Sequence, residues 1–593
     1  MKKLAYLLLI LIINSISVSA ATYYVSYTTG NDANNGTSLG TPFKTITKAV
    51  SASVAGDIIY LRGETHIYST RINISKSGTS TNRISLLAYP GDATRPILNF
   101  SSMAVSSSNR GIDMSGNYWY FKGFDIYKAG DNGMHMSGSN NIIEFCAFYE
   151  NNDTGLQLDG GASNNQIINC DSYYNLDPPD EGDADGFAVK LDVGSGNSFR
   201  GCRSWQNSDD GWDGLLTSAT NPSTTYDSCW TFLNGYRKDM TPSLGNGNGF
   251  KTGGNNMIHN ATLRNCLAVY NRKKGFDQNN NNGSMILYNN TGYKNNPNFG
   301  FGNNDPDAGY VMWFKNNVSF QGLSNNSIRA VATQTTNSWQ SPFSVSTADF
   351  VSLDTSVLRS PRNADGGLPA INFMKLAQGS DLIDGGTNVG IAFNGSKPDL
   401  GYAESNYPLP VELLSFSATL KNNTVELSWK TATEFQNKGW DIERYIPGDI
   451  AWQKLGFVQG KGNSSSINNY SFADTRLVAA TNIQYRLKQI DENGSFKYSN
   501  IVSVRFSSSK TELLNYPNPV KNATTAKFNL TSAANVSLML FNSNGQMLQH
   551  IVNAHLAAGE YSYQMNLSPL KAGEYFLRLM VDDMIINRSL LKL

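Results

Sequence analysis

Charge of one sign, long apolar runs and histidine are what this chain of 593 residues lacks. Lys and Arg number 47, Asp and Glu also 47, so the net charge is zero. A balance of that kind carries no electrostatic footprint for nucleic acid or for an anionic membrane surface. Beyond the first twenty residues no apolar run reaches the roughly 20 residues that cross a bilayer, so no membrane span is expected. The five histidines are scattered and there is no Cys-x-x-Cys, which leaves no zinc site. Cysteine is equally scarce: five residues, an odd number, so a disulfide framework cannot use them all. Long amphipathic stretches are missing, and so is the Leu-x-x-Leu-x-Leu signature of leucine-rich repeats.

What is present begins with the cysteines themselves. Cys146, Cys170, Cys202, Cys229 and Cys266 are each followed five positions later by an asparagine: Asn151, Asn175, Asn207, Asn234 and Asn271. Three positions after each stands a large apolar residue: Tyr149, Tyr173, Trp205, Phe232 and Val269. Each copy then carries glycine followed by an apolar residue, at Gly155, Gly186, Gly211, Gly249 and Gly275. Seven extra residues around 175–182 and eleven around 236–246 interrupt two copies; otherwise the period is 24 to 27 residues. Short apolar runs with asparagine turns and glycine corners at that period read as coils of a parallel β-solenoid.

Equivalent positions of successive coils stack about 4.8 Å apart. The cysteines then form an inward column of free thiols, although one pair between adjacent coils stays open. The position before the glycine reads Thr154, Asp185, Asp210, Asn248, Lys274. Two positions after the glycine the column reads Gln157, Ala188, Asp213, Lys251, Asp277. Asp185, Asp209, Asp210 and Asp213 therefore converge, with Lys251 one coil above Asp213. Four carboxylates in one place repel unless a cation holds them. An oxygen-rich, irregular set suits Ca²⁺ better than Mg²⁺. The blander alternatives are turn-forming aspartates and a salt bridge from Lys251 to Asp277. Arg237, Lys238, Arg272 and Lys274, with Lys273, flank the site and are candidates to bind carboxylates of a substrate, or else form a solvated surface. Trp212 and Phe250 are expected to pack inward.

The organisation around the repeat is all-β. Met1–Ala20, with Lys2, Lys3 and the apolar run from Leu4 to Ile13 before Val18-Ser19-Ala20, reads as a secretory signal peptide. Residues 21–405 form the solenoid, with helical periodicity over Pro42–Val54 capping its first end and Asp354–Glu404 as C-terminal capping and loops. Residues 409–507 show short alternating strands of a β-sandwich, and 511–593 a second small all-β module. A monomer is expected.

Asp183-Ala184-Asp185-Gly186-Phe187-Ala188, the stretch Asn207–Asp213 and Gly249-Phe250-Lys251-Thr252-Gly253-Gly254 resemble the family 9 polysaccharide lyases, pectate lyases with a right-handed parallel β-helix. Ser380–Asp384 and Pro398–Gly401 also fit that family. The resemblance implies a catalytic Ca²⁺ on Asp185, Asp209, Asp210 and Asp213, Lys251 as the Brønsted base, and a pectic polysaccharide, polygalacturonate, as substrate. Acting as a base requires the Lys251 pKa to lie below its ordinary value of about 10.4, and a neighbouring cation and burial are expected to bring it there. The 409–507 sandwich resembles the fibronectin type III-like modules of secreted Bacteroidetes proteins. The last module, opening on Tyr516-Pro517-Asn518-Pro519, resembles a type IX secretion sorting domain, which implies that secretion machinery as partner and a released or surface-attached protein. Other readings stay open at this point: a rhamnogalacturonan or exo-acting lyase, a glycoside hydrolase on the same architecture, and a non-catalytic adhesin stiffened by Ca²⁺.

Overall fold

Short segments rich in Ile, Val and aromatic residues, separated by asparagine and glycine, become strands of two to five residues wound into coils. The computed structural model describes residues 20–405, 413–421, 424–464, 466–475, 482–492, 494–505 and 511–593. Apart from Ala20, the segment Met1–Ala20 expected to be a signal peptide lies outside the described residues. The chain divides into two compact units, Met1–Tyr407 and Pro408–Leu593.

In the first unit three parallel sheets of twelve, ten and ten strands run along the coils, each complete coil giving one strand to each sheet. The register in one ten-stranded sheet pairs Gln157 with Ala188, Ala188 with Asp213, Asp213 with Lys251 and Lys251 with Asp277. Residues dozens of positions apart in sequence thus share one outward column, about 4.8 Å from rung to rung. Inside the coil, alternate residues of the same strands stack as rings. Phe187, Trp212, Phe250, Phe276 and Phe299 follow at centroid spacings of 4.9, 4.7, 5.3 and 4.8 Å. Each buried ring contributes about 1.5–3 kcal/mol through lost water contact alone, and the near-parallel stacking adds to it. The five cysteines are free and buried.

The turn before this sheet is held by amide pairs. Asn151 Nδ2 donates to Asn175 Oδ1 at 2.9 Å, Asn175 to Asn207 at 2.8 Å, Asn207 to Asn234 at 2.9 Å, and Asn234 to Asn271 at 2.9 Å. A further rung reaches Asn295 at 3.0 Å. Each side chain accepts from one coil and donates to the next, so buried amides are paired along the stack. The following glycines are there because the backbone passes close beside this ladder. A Cβ at Gly211 would sit 2.2 Å from Thr231 Oγ1 and 2.6 Å from the Gly249 carbonyl.

The N-terminal end is covered by a helix over Ile46–Ala52, capped by Thr45, whose hydroxyl accepts from Lys48 N at 3.1 Å. Residues beyond 340, among them the Asp354–Glu404 expected to cap the other end, have their apolar side chains on a flank. They lie along the flank of the third sheet, where Phe350, Leu358, Phe373 and Leu382 cover the outward Trp205, Phe232, Val269 and Tyr293. The apolar residue three after each cysteine points outward, and that flank needs this cover. In the second unit, a three-stranded and a five-stranded antiparallel sheet enclose Trp429, Trp440, Ile442 and Tyr485 within residues 413–505. Another three-stranded and a four-stranded sheet enclose Phe528, Leu538, Leu540 and Leu577 within 511–593. No helix among the described residues is long and apolar enough to cross a membrane.

Candidate active site

The acidic residues meet where two coils change from turn to strand. Gly186 N donates to the Asp210 carbonyl at 2.9 Å, and Asp210 N returns to Asp185 Oδ1 at 3.2 Å, which locks one acidic turn over the other. Carboxylate oxygens of Asp185, Asp209 and Asp210 all lie within 4.8 Å of one another, and all three residues are buried. Asp213 is outside that trio. It faces the lysines instead, with Oδ1 3.2 Å from Lys251 Nζ and Oδ2 3.8 Å from Lys190 Nζ. Lys251 Nζ also lies 3.1 Å from Asp210 Oδ2. Asp277 is engaged elsewhere, 2.7 Å from Lys274 Nζ, so Lys251 turns toward the acidic trio rather than away from it.

Lys190 is the residue that the repeat did not bring to notice. Its Nζ is 3.0 Å from Asp185 Oδ2 and its side chain is nearly buried. The period-two alternation of Phe187, Ala188, Val189 and Lys190 puts it on the outward side with Ala188, which was the available signal. Farther along the same column, His135 Nε2 is 2.6 Å from Asp159 Oδ1 and Nδ1 2.9 Å from Asp113 Oδ1. Burial would lower that imidazole, but the two carboxylates outweigh it and raise it to about 9.

The proposed carboxylate-binding cations are mostly committed within the chain. Arg237 Nε and Nη2 both reach Glu181 Oε1 at 2.9 Å, Lys238 pairs with Glu150, and Arg272 Nη2 donates to the Gly245 carbonyl. Lys274 keeps its place one coil above Lys251 and is partly exposed.

Electrostatics explain what the cluster can hold. When all four carboxylates are ionised, two ammonium groups leave two negative charges uncompensated, the charge of one divalent cation. Burial pushes Asp209 up to about 10, and Asp210 and Asp185 add to the rise. Burial raises Asp185 well above the carboxylate range despite Lys190, and raises Asp210 despite Lys251. Asp213 ends below its ordinary value, because Lys251 and Lys190 outweigh burial. For Lys251 burial works downward, but Asp213, Asp210, Asp185 and Asp209 outweigh it and hold the amine well above its ordinary value. The direction is opposite to the one a base needs, because the carboxylates around the amine outnumber the ammonium groups. The donor set fits a hard cation on a second ground: Asp210 Oδ2 is buried and, apart from the Lys251 ammonium 3.1 Å away, has no polar partner among the described residues.

A pH dependence follows for the cation-free chain. Asp185, Asp209 and Asp210 are raised in the fold, so between roughly pH 4 and 10 the folded state binds more protons than the unfolded one, and stability falls as pH rises. Asp213, lowered, contributes only below that window. Calorimetry in chelator should show the β-helix melting lower at about pH 8 than at about pH 5, and added Ca²⁺ should restore most at the higher pH.

Both insertions serve the trio. Glu181, from the first, takes Arg237 and also Leu244 N at 3.0 Å from the second. That contact places Asn246 N to donate to Asp209 Oδ1, and Asn248 N to donate to Asp210 Oδ1 at 2.6 Å. Glu181→Ala unties the two loops, and we expect cation affinity measured by calorimetry to drop about tenfold, as for other outer partners of metal ligands.

Residues 23–326 match the family described as "Pel9A-like, right handed beta helix region", and residues 515–592 match "Secretion system C-terminal sorting domain". Over 398 residues the chain is 40% identical to pectate lyase L of Dickeya chrysanthemi, covering 65% of this chain and 90% of that protein. The crystal structure of pectate lyase Pel9A superposes with a TM-score of 0.60 at 38% identity, covering 66% of this chain and 98% of that one. A rhamnogalacturonan lyase superposes with a TM-score of 0.56 at 29% identity, covering 61% and 98%.

Proposed function

Because the chain belongs to the Pel9A-like right-handed β-helix family and is a polysaccharide lyase, we propose that it cleaves polygalacturonate by Ca²⁺-dependent β-elimination with Lys251 as base. The observation that carries this reading is the meeting of Lys251 Nζ with a buried carboxylate trio on adjacent coils. Asp185, Asp209 and Asp210 would hold the cation, with Asp213 at its edge toward the lysines. Bound there, Ca²⁺ would supply positive charge to the uronate carboxylate and so stabilise the charge that develops at C5.

The remaining steps belong to side chains. The carboxylates that hold Lys251 protonated lose that influence once their charge is committed to a cation, and burial then favours the free amine. Lys251 Nζ takes the C5 proton. The electron pair moves into the C4–C5 bond, the C4–O bond breaks, and the departing oxygen leaves as a hydroxyl on taking back the proton that the Lys251 ammonium carries, which returns the free amine. No water is consumed. Lys190 pairs with Asp185 and keeps that carboxylate oriented. Asp213, fixed by Leu215 N at 3.0 Å, positions the Lys251 amine.

The family match and the sorting domain make this an exported protein, secreted or held at the cell surface. We propose the type IX machinery as its route. Incubation with polygalacturonate tests the function. Ultraviolet absorbance from the unsaturated product should grow with Ca²⁺ and vanish with chelator; reducing ends without that absorbance would mean hydrolysis, and no product at all a binding protein. A rhamnogalacturonan backbone is the second reading, favoured by the superposition on a rhamnogalacturonan lyase. Turnover of that polymer and not of polygalacturonate would select it.

A further inference from the structure

The sandwich of residues 413–505 has one sheet face that its core does not use. Along Glu434–Tyr445 and Asn482–Asp491, Trp440, Ile442, Tyr485 and Leu487 turn inward. Their alternates turn outward and stand in register opposite residues of the neighbouring strands: Glu443 opposite Lys454 and Arg486, Asp441 opposite Phe457 and Lys488, and Lys488 opposite Tyr498. On that face, Arg486 is sandwiched, its guanidinium 4.3 Å from the Trp452 ring centre and 3.8 Å from that of Tyr498. Lys488 Nζ lies 4.0 Å over Phe496 and has no ion-pair partner among the described residues. Phe457, Phe496 and Tyr498 are 40%, 55% and 41% exposed.

Large rings at that exposure on a soluble sheet mark a contact surface. Three cations (Lys454, Arg486, Lys488) against two acids (Asp441, Glu443) leave the face net positive. Rings interleaved with cations suit a ligand that is itself alternately apolar and anionic. The C–H faces of uronate sugars lie against rings, and their carboxylates meet Lys or Arg at the ring edges. A bilayer would want aliphatic bulk, and a neutral glycan has no use for Lys488.

We propose that this face binds a segment of anionic polyuronate, so that the module holds the polymer while the β-helix cuts it. The inference rests on the proposed substrate. It is tested on the full chain carrying Lys251→Ala, with chelator present so that cation-dependent binding at the β-helix is removed. Electrophoresis through gels containing polygalacturonate should show retardation that weakens with salt. Adding Lys488→Glu, or Trp452→Ala with Tyr498→Ala, should weaken it at least fivefold, without effect in gels containing a neutral galactan. With Lys251 intact, the same variants should turn over short oligomers unchanged and show a higher KM on the polymer only. Equal retardation of parent and variants, or equal retardation by the neutral polymer, overturns the proposal. Retardation in the gels, together with no unsaturated product from the chain with Lys251 intact and Ca²⁺ supplied, would instead sink the lyase reading and leave this surface standing.

Discussion

Lys251→Ala should lower kcat on polygalacturonate by about three orders of magnitude, within the 10²–10⁴ range for loss of a positioned general base, while the chain stays folded. The substitution removes one of two ammonium groups from a nest of four carboxylates, so cation affinity should rise rather than fall. That opposite movement is diagnostic. A lysine that served only to offset charge would be replaced by the cation itself, and activity would survive at high Ca²⁺. Lys251→Arg sharpens the distinction. Arginine keeps the charge and can reach Asp210 and Asp213, but it does not give up its proton near neutrality. We expect Arg to be as inactive as Ala, measured by the rate of unsaturated product at saturating Ca²⁺. Activity of the Arg variant within tenfold of the parent would show that charge alone is required.

Asp209→Asn should weaken the cation by about two orders of magnitude, near 3 kcal/mol, and yet stabilise the cation-free chain. The carboxyl is buried beside Asp210 and Asp185, and burial with those neighbours raises it to about 10. At neutral pH the fold therefore keeps it largely protonated, at a cost the unfolded chain does not bear. An amide replaces the neutral form closely, and its oxygen can still accept from Asn246 N. Calorimetric titration reads the lost affinity. Thermal melting in chelator reads the gain, which should grow with pH. A turn-forming aspartate would behave the other way, losing stability without its carboxylate and leaving cation affinity untouched.

The parts of this site that recur are the parts that can be read in the amino-acid order. The column Gln157, Ala188, Asp213, Lys251, Asp277 follows from glycine offsets, because a coil that repeats its hydrogen bonding repeats its register. The asparagine ladder and the free cysteines follow for the same reason. What escapes is whatever the repeat does not carry. Lys190 reaches Asp185 because its long side chain bends back along the column, and no offset encodes that reach. Glu181 and Arg237 sit in insertions, where register is lost, and their pairing depends on how two loops fold against each other. Arg237 shows why: a cation beside an acidic site can meet a substrate, solvent or an acid of its own chain, and the amino-acid order alone does not say that Glu181 lies within reach. A second run of asparagines, Asn141 to Asn165 to Asn197, lies at another corner and does not align with the cysteines, so the cysteine spacing does not reveal it.

Diffraction from crystals of the Lys251→Ala chain soaked with Ca²⁺ and an oligogalacturonate tests the central claim most directly. The account predicts a cation against Asp185, Asp209 and Asp210 that also meets a uronate carboxylate, with C5 of that sugar facing the space left by the Lys251 amine. A cation bound elsewhere, or a sugar whose C5 faces away from position 251, would contradict it.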